Sequence, residues 1–208
     1  KEKGQFEALD REAFLEGGFC EKLPKKLREN ILEFGIRNCG LTSIAPTGTI
    51  SIAAETSPGL EPCIAKAMKR RYNYRFNGTK VEYDTCNVID PLWLQIYNTD
   101  KAALFEEATE IGLENHFHIQ AAVQYWVDSA VSKTVNFKKG EVTIQQVKKL
   151  LKEYFSRLKG FTMLPEGSRK DAPQQPVDEE TWRAWLKSGD FTTFGSSTEN
   201  CVNGVCEI

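Results

Sequence analysis

The sequence has no long apolar run and no large excess of charge of either sign. No stretch approaches the ~20 consecutive apolar residues that a membrane-spanning helix requires, so no membrane protein is expected. The 27 basic residues nearly balance the 29 acidic ones and leave a net charge of −2, which argues against a dedicated nucleic-acid-binding or membrane-surface protein. With 208 residues, 40% of them hydrophobic, the chain can bury a sizeable core and form one domain, or one and a half.

Histidine and cysteine are too few and too scattered for a metal site or a secreted disulfide framework. The two histidines, His116 and His118, lie far from the last cysteines, and the six cysteines follow no regular spacing. A structural zinc site needs four ligands, so we predict no metal site. The first residues are charged, unlike those of a signal peptide. We therefore expect a cytoplasmic protein and, because the chain begins with Lys1 instead of methionine, a missing amino-terminal segment.

The carboxyl end carries a pair of cysteines, Cys201 and Cys206, with four residues between them. Residues 195–200, which precede the pair, are small or polar, so we expect a flexible tail. A flexible dithiol can form and break an internal disulfide, and it thereby carries two electrons between a buried site and an external reductant. Two other interpretations stay open at this point: unreactive solvent-exposed thiols, or two ligands of a metal site shared with another chain.

The segment 45–51 combines a glycine with three hydroxyl side chains. It reads Ala-Pro-Thr-Gly-Thr-Ile-Ser and follows a predicted short strand at 41–44. A glycine in such a loop lets backbone N–H groups converge on an anion, and Thr47, Thr49 and Ser51 can add hydroxyl donors. The Gly-Lys-Ser/Thr ending of a nucleotide-hydrolase P-loop is missing. The pattern is that of an anion-binding loop, with an ordinary proline–glycine turn as the alternative.

The rest of the pattern predicts alternating helices and strands. Residues 70–76 and 80–83 form a predicted hairpin with Asn77-Gly78 as its turn. Thr143 and Gln146 form a capping box, and strands at 133–137 and 161–164 flank the helix that it opens, which predicts a right-handed βαβ unit with parallel strands. Asp178 is the expected cap of the last helix. The predicted helices cover 24–37, 91–97, 100–111, 118–131, 143–158 and 179–187.

Several segments, taken in order, resemble ribonucleotide reductases. Residues 35–51, which read Gly-Ile-Arg-Asn-Cys-Gly-Leu-Thr-Ser-Ile-Ala-Pro-Thr-Gly-Thr-Ile-Ser, and residues 56–62 resemble the substrate-phosphate loop of that family. Residues 118–136 resemble its helix–strand signature, and residues 159–169 its next strand and turn. The terminal Cys-x4-Cys matches the shuttle pair found at the end of many members. The matches cover most of residues 24–208.

The resemblance implies an α/β fold, namely the carboxyl-terminal part of a ten-stranded α/β barrel, over residues 1–187. Residues 188–208 would form a flexible redox-active tail. The family's reaction replaces the 2′-hydroxyl of a ribonucleoside di- or triphosphate with hydrogen by radical chemistry. In this resemblance Cys201 and Cys206 re-reduce a buried thiol pair and exchange with a thioredoxin- or glutaredoxin-like donor. The residues that would bind the substrate phosphates are Pro46, Thr47, Gly48, Thr49 and Ile50, with Ser51 flanking them.

One family motif has no match in this chain. The radical-bearing cysteine of the family lies in an Asn-x-Cys-x-Glu finger loop, which the sequence does not contain. We therefore expect the chain to be inactive alone and to need an amino-terminal reductase segment or chain as its partner. The four other cysteines match no family cysteine, and we expect small buried core residues at these positions, because free cysteines are so often buried: Cys20, Cys39, Cys63 and Cys86.

The form of the phosphate loop and the Gln-Ala-Ala-Val-Gln helix look most like the adenosylcobalamin-dependent class of the family. The adjacent tyrosine pair of the di-iron class is not evident, since Tyr72 and Tyr74 are separated by Asn73. Adenosylcobalamin is therefore the expected cofactor, without assignable contacts. The alternatives are the large subunit of a metal-radical (class I) reductase and a non-catalytic regulatory or assembly fragment. A thioredoxin-like enzyme is disfavoured, because its Cys-x-x-Cys should open a helix.

The histidines and the last two tryptophans have simpler expected roles. His116 and His118 flank Phe117 at a predicted helix start, so we expect packing or capping from them rather than metal binding. Trp182 and Trp185 lie three residues apart on a short helix, which places them on the same face. We expect them to anchor that helix to the barrel wall.

Overall fold

The structure is a computed structural model that describes residues 2–169, 172–193, 201, 202, 205 and 206. Within these residues the chain forms helices around three small sheets. The strands are β1 (Ala67–Phe76), β2 (Val81–Ile89), β3 (Thr134–Phe137), β4 (Thr162–Pro165), β5 (Gln174–Pro176), β6 (Cys201–Val202) and β7 (Val205–Cys206). The α-helices are α1 (Arg11–Glu16), α2 (Lys25–Phe34), α3 (Gly48–Ala53), α4 (Pro91–Ile96), α5 (Leu113–Gln124), α6 (Ile144–Tyr154) and α7 (Glu179–Ser188).

The predicted hairpin is confirmed as the antiparallel pair of β1 and β2. Its loop closes because the Asn77 side chain accepts hydrogen bonds from the backbone N–H groups of Thr79 and Lys80, at 3.1 and 2.9 Å. Gly78 has φ 92°, which a glycine adopts without strain. The other edge of β1 pairs with β5, so the strand order is β2-β1-β5. The sequence analysis missed β5.

The predicted strand–helix–strand unit is also confirmed. Strands β3 and β4 pair in parallel, and α6 connects them. Its capping box is complete: the Gln146 N–H donates to the Thr143 hydroxyl at 3.2 Å, and the Thr143 N–H donates to the Gln146 side-chain oxygen at 2.8 Å. The helix ends at Tyr154 and continues as a 3₁₀ turn, Phe155–Arg157, close to the predicted end.

Two hydrophobic cores hold these units together. In the first, α7 packs on α4, with the Trp93 and Trp182 rings edge to face at 5.7 Å. Trp182 and Trp185 are both buried there, which confirms that they anchor the last helix. In the second, α5 and α6 pack around β3 through the buried side chains of Phe117, Val135 and Leu150. Aromatic pairs of this kind add about 0.5–1.5 kcal/mol each to the burial of apolar area.

Three predicted elements differ in the structure. Residues 41–44 are not a strand, because only Ile44 forms a bridge, in parallel with Val131. The helix predicted at 100–111 is a 3₁₀ turn, Asp100–Leu104, after which the Ala108 N–H bonds to the carbonyl of Cys63 at 2.8 Å. The helix predicted at 118–131 starts earlier and ends at Gln124, whose side-chain amide donates to carbonyls beyond the helix. In each case a distant partner or a side chain outweighs the local pattern.

The remaining expectations concern the barrel, the tail and the cysteines. The described residues form a mixed α/β arrangement without a closed barrel. Backbone hydrogen bonds join Thr192 to β2, from the Thr192 N–H to the Asn87 carbonyl at 2.9 Å and from the Ile89 N–H to the Thr192 carbonyl at 3.0 Å. The flexible tail predicted at 188–208 lies largely outside the described residues, at positions 194–200, 203, 204, 207 and 208. Cys20 is buried and two other cysteines are half-buried, but Cys39 is exposed, so its predicted burial is wrong: it lies in an irregular segment on the surface.

Candidate functional site

The predicted anion loop leads directly into helix α3. Thr47 has φ 47° and ψ 27°, a left-handed conformation, and α3 begins at the next residue. The latter half of the predicted loop is therefore the first turn of a helix. The first N–H groups of a helix have no partner within it, and no side chain caps α3. The N–H groups of Gly48, Thr49 and Ile50 thus lack partners within the helix, and N–H groups of this kind can bind an anion.

The residues of the loop differ in exposure. Gly48, Thr49 and Ile50 are exposed, and an added Cβ on Gly48 would meet no atom within 4 Å. Ser51 is buried, and its hydroxyl donates to the Gly48 carbonyl at 2.7 Å. The Ser51 hydroxyl therefore stabilises the first turn from inside. The open side of the turn presents backbone donors and the Thr49 side chain to solvent.

A supporting segment, residues 56–62, lies beneath the loop. It starts with a hydrogen bond from the Thr56 N–H to the Ser51 carbonyl at 3.1 Å. Gly59 has φ 51°, and a Cβ at this position would lie 2.9 Å from the carbonyl oxygen of Ala45 and 3.8 Å from the hydroxyl oxygen of Thr47. Real Cβ atoms do not approach backbone oxygens so closely, so only glycine fits without displacing the loop.

Residues 41–44, which lead to the loop, are held by the segment before β3. The Ile44 N–H donates to the Ala130 carbonyl at 3.2 Å, and the Ser132 N–H donates to the Ile44 carbonyl at 2.9 Å. Earlier, the Leu41 N–H donates to the Asp128 carboxylate at 2.8 Å. The loop is thus held on one side by residues 128–132 and on the other by the supporting segment.

Behind α3 lies a cavity of about 80 Å³ that is lined in part by Ser51, Cys63 and Asp90. The Cys63 thiol donates to the Asp90 carboxylate at 3.3 Å. Burial, followed by the negative charge of Asp90, raises the pKa of the Cys63 thiol to about 12. A thiol with such a pKa stays protonated near neutral pH and is a poor nucleophile. Cys63 therefore has the properties of a structural residue, in agreement with the sequence analysis.

Three titratable side chains form a buried cluster next to the supporting segment. The Lys133 ammonium donates to the Glu61 carboxylate at 3.1 Å, to His116 Nδ1 at 2.9 Å and to the Thr134 carbonyl at 2.9 Å. Glu61 also accepts from the Thr134 N–H at 2.6 Å. Burial, and secondarily the charge of Lys133, lowers the pKa of His116. His116 is thus a buried, hydrogen-bonded residue, as the sequence analysis expected.

The sequence analysis gave no role to Lys133 or Glu61. The alternation of β3 contains a signal for Lys133, since residues two apart in a strand share a face and Val135 is fully buried. That alternation places Lys133 on the inward side. No local signal identifies Glu61 as its partner, because the two residues are 72 positions apart.

The terminal cysteines are described by their backbone only. Strands β6 and β7 pair in antiparallel fashion, with Cys201 directly opposite Cys206. Opposed residues in such a pair have Cα atoms about 4.5–5.5 Å apart, which falls within the range of about 4.4–6.8 Å that a disulfide requires. Further back, the Thr193 hydroxyl donates to the Glu55 carboxylate at 3.1 Å. This hydrogen bond places Thr193 beside Glu55, which lies two residues beyond the end of α3.

No group of three or more histidine, cysteine, aspartate or glutamate side chains is arranged to hold a metal ion in the described part of the chain. None of the helices within the described ranges is long and apolar enough to cross a membrane.

Comparisons with known proteins point to one family. Residues 1–164 match the family model described as ribonucleotide reductase, barrel domain. A vitamin B12-dependent ribonucleoside-diphosphate reductase from Mycobacterium tuberculosis is 34% identical over 190 residues, which are 83% of this chain and 26% of the relative. An adenosylcobalamin-dependent ribonucleoside-triphosphate reductase from Levilactobacillus brevis is 30% identical over 201 residues, which are 80% of this chain and 26% of that relative.

A solved structure supports the same fold. The crystal structure of a B12-dependent (class II) ribonucleotide reductase superposes with a TM-score of 0.51 and 23% sequence identity, over 77% of this chain and 24% of that chain. The present chain spans about a quarter of the length of the curated relatives it matches. The match of the family model over most of its residues shows that the chain belongs to the ribonucleotide reductase barrel-domain family.

Proposed function

We propose that this chain is the segment of an adenosylcobalamin-dependent ribonucleotide reductase that binds the substrate phosphates and delivers the reducing electrons. In the reaction, a ribonucleotide loses its 2′-hydroxyl as water and gains a hydrogen at that carbon. A dithiol supplies the two electrons and becomes a disulfide. The product is a 2′-deoxyribonucleotide, the precursor of DNA. The radical chemistry would take place on the amino-terminal part of the enzyme, which carries the finger-loop cysteine.

The observation that carries the proposal is the start of α3 in a chain of this family. At the start of this helix the N–H groups of Gly48, Thr49 and Ile50 lack partners within the helix, and the resemblance assigns these residues to substrate-phosphate binding. Pro46 and the left-handed Thr47 turn the chain so that these donors face outward, and Ser51 braces the turn from inside. Donors held in place before binding give affinity and orientation at a low entropic cost.

The second proposed role belongs to Cys201 and Cys206. Their opposition across β6 and β7 supports a reversible internal disulfide. In each turnover the two thiols would reduce a buried disulfide by thiol–disulfide exchange, and a thioredoxin- or glutaredoxin-type protein would then reduce the new disulfide. Cys201 lies eight residues beyond Thr193, so it can reach about 26 to 29 Å from that residue at full extension.

The cofactor proposal rests on the relatives, which are named for vitamin B12 or adenosylcobalamin. The cavities lined by the described residues include two of about 370 and 580 Å³, a size that suits drug-sized ligands. A corrinoid macrocycle with its nucleotide arm does not fit inside either of them. We therefore assign no cobalamin contact to this chain, and the cofactor requirement is a property of the assembled enzyme.

The proposed boundaries and setting follow the same reading. Residues 1–187 would complete the barrel with the amino-terminal segment, and residues 188–208 would form the redox-active tail. The enzyme would act in the cytoplasm, where thioredoxin-type reductants keep thiols reduced. Because the relatives include both diphosphate and triphosphate reductases, the substrate is a ribonucleoside di- or triphosphate.

The test is reconstitution. The chain is mixed with a polypeptide that carries the finger-loop cysteine, and the reduction of cytidine di- and triphosphate is assayed with adenosylcobalamin and a small dithiol. We expect activity in the mixture and none with either part alone. Activity that requires a metal-radical subunit instead of cobalamin would assign the chain to class I. Silence with both radical sources would favour a non-catalytic regulatory or assembly fragment.

A further inference from the structure

In the cluster of Lys133, Glu61 and His116, the ammonium and the imidazole ring use all their hydrogen-bonding groups. A lysine ammonium has three donors, and Lys133 uses all three, on Glu61, on His116 Nδ1 and on the Thr134 carbonyl. The side chain of Lys133 is 1% exposed. His116 Nδ1 must accept from the ammonium, so Nε2 carries the proton and donates to the Ala108 carbonyl at 2.9 Å. Lys133 and His116 therefore have no free donor or acceptor, whereas the Glu61 side chain is 17% exposed and the three residues line part of a cavity of about 340 Å³.

The cluster connects two parts of the chain that meet at the phosphate loop. Glu61 lies in the supporting segment, where a Cβ on Gly59, two residues earlier, would lie 2.9 Å from the carbonyl oxygen of Ala45. On the other side, Ser132 bonds to the Ile44 carbonyl, and Lys133 is the next residue. The start of β3 thus holds both the residue before the loop and the segment that supports it.

We infer that Lys133 and Glu61 are positioning residues for substrate phosphate, and that they act through Gly59 and Ile44 on the loop at residues 45–51. This inference rests on the proposed function of that loop. The pair fixes the distance between the supporting segment and β3, and that distance sets where the N–H groups of α3 lie. His116 completes the network. Glu61 and Thr134 accept two of the three N–H groups of the Lys133 ammonium, and the neutral ring of His116 accepts the third.

The chemistry of burial favours positioning over simple stabilisation. An ion pair buried in a protein gains little net stability, because the cost of removing both charges from water offsets their attraction. Its partners must instead stay in place, since an unpaired buried charge is strongly unfavourable. A pair of this kind therefore favours a single position of the supporting segment. Apolar contacts, which are not directional, would allow that segment to shift.

The experiment uses the complete, reconstituted reductase and compares Lys133→Met, Glu61→Gln and the double variant with wild type. Glu61→Gln keeps the shape of the side chain but places an amide N–H against one of its two donors, the Lys133 ammonium or the Thr134 N–H. We expect KM for the nucleotide to rise about tenfold or more, with kcat changed by less than about threefold. Inorganic pyrophosphate, used as a competitive inhibitor, should lose affinity by a similar factor. The double variant should be no worse than the poorer single variant, because both act through one network.

Lys148→Met is the matched control, since Lys148 is exposed on α6 and should leave KM and pyrophosphate inhibition unchanged. Thermal unfolding shows whether each variant is folded at the assay temperature. If Lys133→Met does not fold, the isosteric Glu61→Gln variant decides. Folded variants with wild-type KM and pyrophosphate affinity would overturn the inference about Lys133 and Glu61. In that case an active wild-type assembly would still support the proposed function. A wild-type assembly without nucleotide reduction would overturn both.

Discussion

The buried ammonium of Lys133 donates to three acceptors on separate parts of the chain. They are Glu61 in the supporting segment, His116 in helix α5 and the Thr134 carbonyl in β3. This geometry also fixes the protonation states. The ammonium must be charged to donate three times, and His116 must be neutral to accept. The only carboxylate in the cluster, Glu61, balances the charge of Lys133. A proton added to His116 would place two cations 2.9 Å apart.

The first prediction concerns the stability of the chain at low pH. Burial and the charge of Lys133 lower the folded-state pKa of His116 from its ordinary value of 6.5, and Glu61 only partly opposes this. The unfolded chain therefore binds a proton more readily than the folded one. The contribution of His116 is complete above pH 6.5 and is lost as the pH falls from there toward the folded-state pKa. Denaturant unfolding measured over this range should give a free energy of unfolding that decreases as the pH falls.

The variant His116→Gln tests the source of that dependence. A glutamine can still accept from Lys133 through its carbonyl oxygen, but it does not titrate. We expect a less steep decrease of stability with falling pH in this variant. His118→Gln is the control, because His118 is exposed on the same helix. An equal pH dependence in wild type and His116→Gln would show that His116 is not responsible.

At the scale of helices and strands, the sequence predicted correctly those features that depend on residues close together in the chain. The capping box of α6 and the Asn77-Gly78 turn involve residues within a few positions of each other, so their pattern is sufficient. Strand β5 depends on a distant partner, β1, and Ile44 depends on its bridge partner Val131. The end of α5 depends on the Gln124 side chain, which bonds to the carbonyls of Val127 and Ser129. The candidate site divides in the same way. The glycine and hydroxyls of the loop predicted an anion site, and the resemblance singled out residues 56–62, whereas the close approach of Gly59 to Ala45 is seen only in the structure.

The fit between the supporting segment and the loop can be tested with Gly59→Ala. The added Cβ would lie 2.9 Å from the Ala45 carbonyl oxygen, and φ is 51°. We expect a loss of about 1–3 kcal/mol in stability, together with weaker nucleotide binding as the loop is displaced. The measurements are denaturant unfolding of the chain and KM in the reconstituted enzyme.

Gly78→Ala separates strain from contact. Gly78 also has a positive φ of 92°, but a Cβ there would meet no atom within 4 Å. It should cost stability through backbone strain alone and leave KM unchanged. If Gly59→Ala and Gly78→Ala lose similar stability and both keep the wild-type KM, the packing of Gly59 against the loop does not position the loop.

At the scale of the whole chain, a contact between the carboxyl-terminal segment and the end of α3 bears on the proposed role of the terminal dithiol. The Thr193 hydroxyl bonds to Glu55, just after α3. The proposed electron carrier is therefore tethered beside the proposed substrate loop. Neither the sequence spacing nor the resemblance could show this, because Glu55 and Thr193 are 138 positions apart. The tether limits how far the dithiol can travel from the site that it would serve.

The last prediction separates the shuttle from catalysis in the reconstituted enzyme. A serine in place of Cys201 or Cys206 cannot form a disulfide, so electrons from a thioredoxin-type protein can no longer be passed inward. Cys201→Ser and Cys206→Ser should abolish turnover with the protein reductant. A small dithiol diffuses to the buried disulfide directly, so turnover with it should persist. Cys39→Ser, which changes an exposed cysteine outside the tail, should keep both activities. Equal loss with both reductants would mean that the terminal cysteines are not a shuttle.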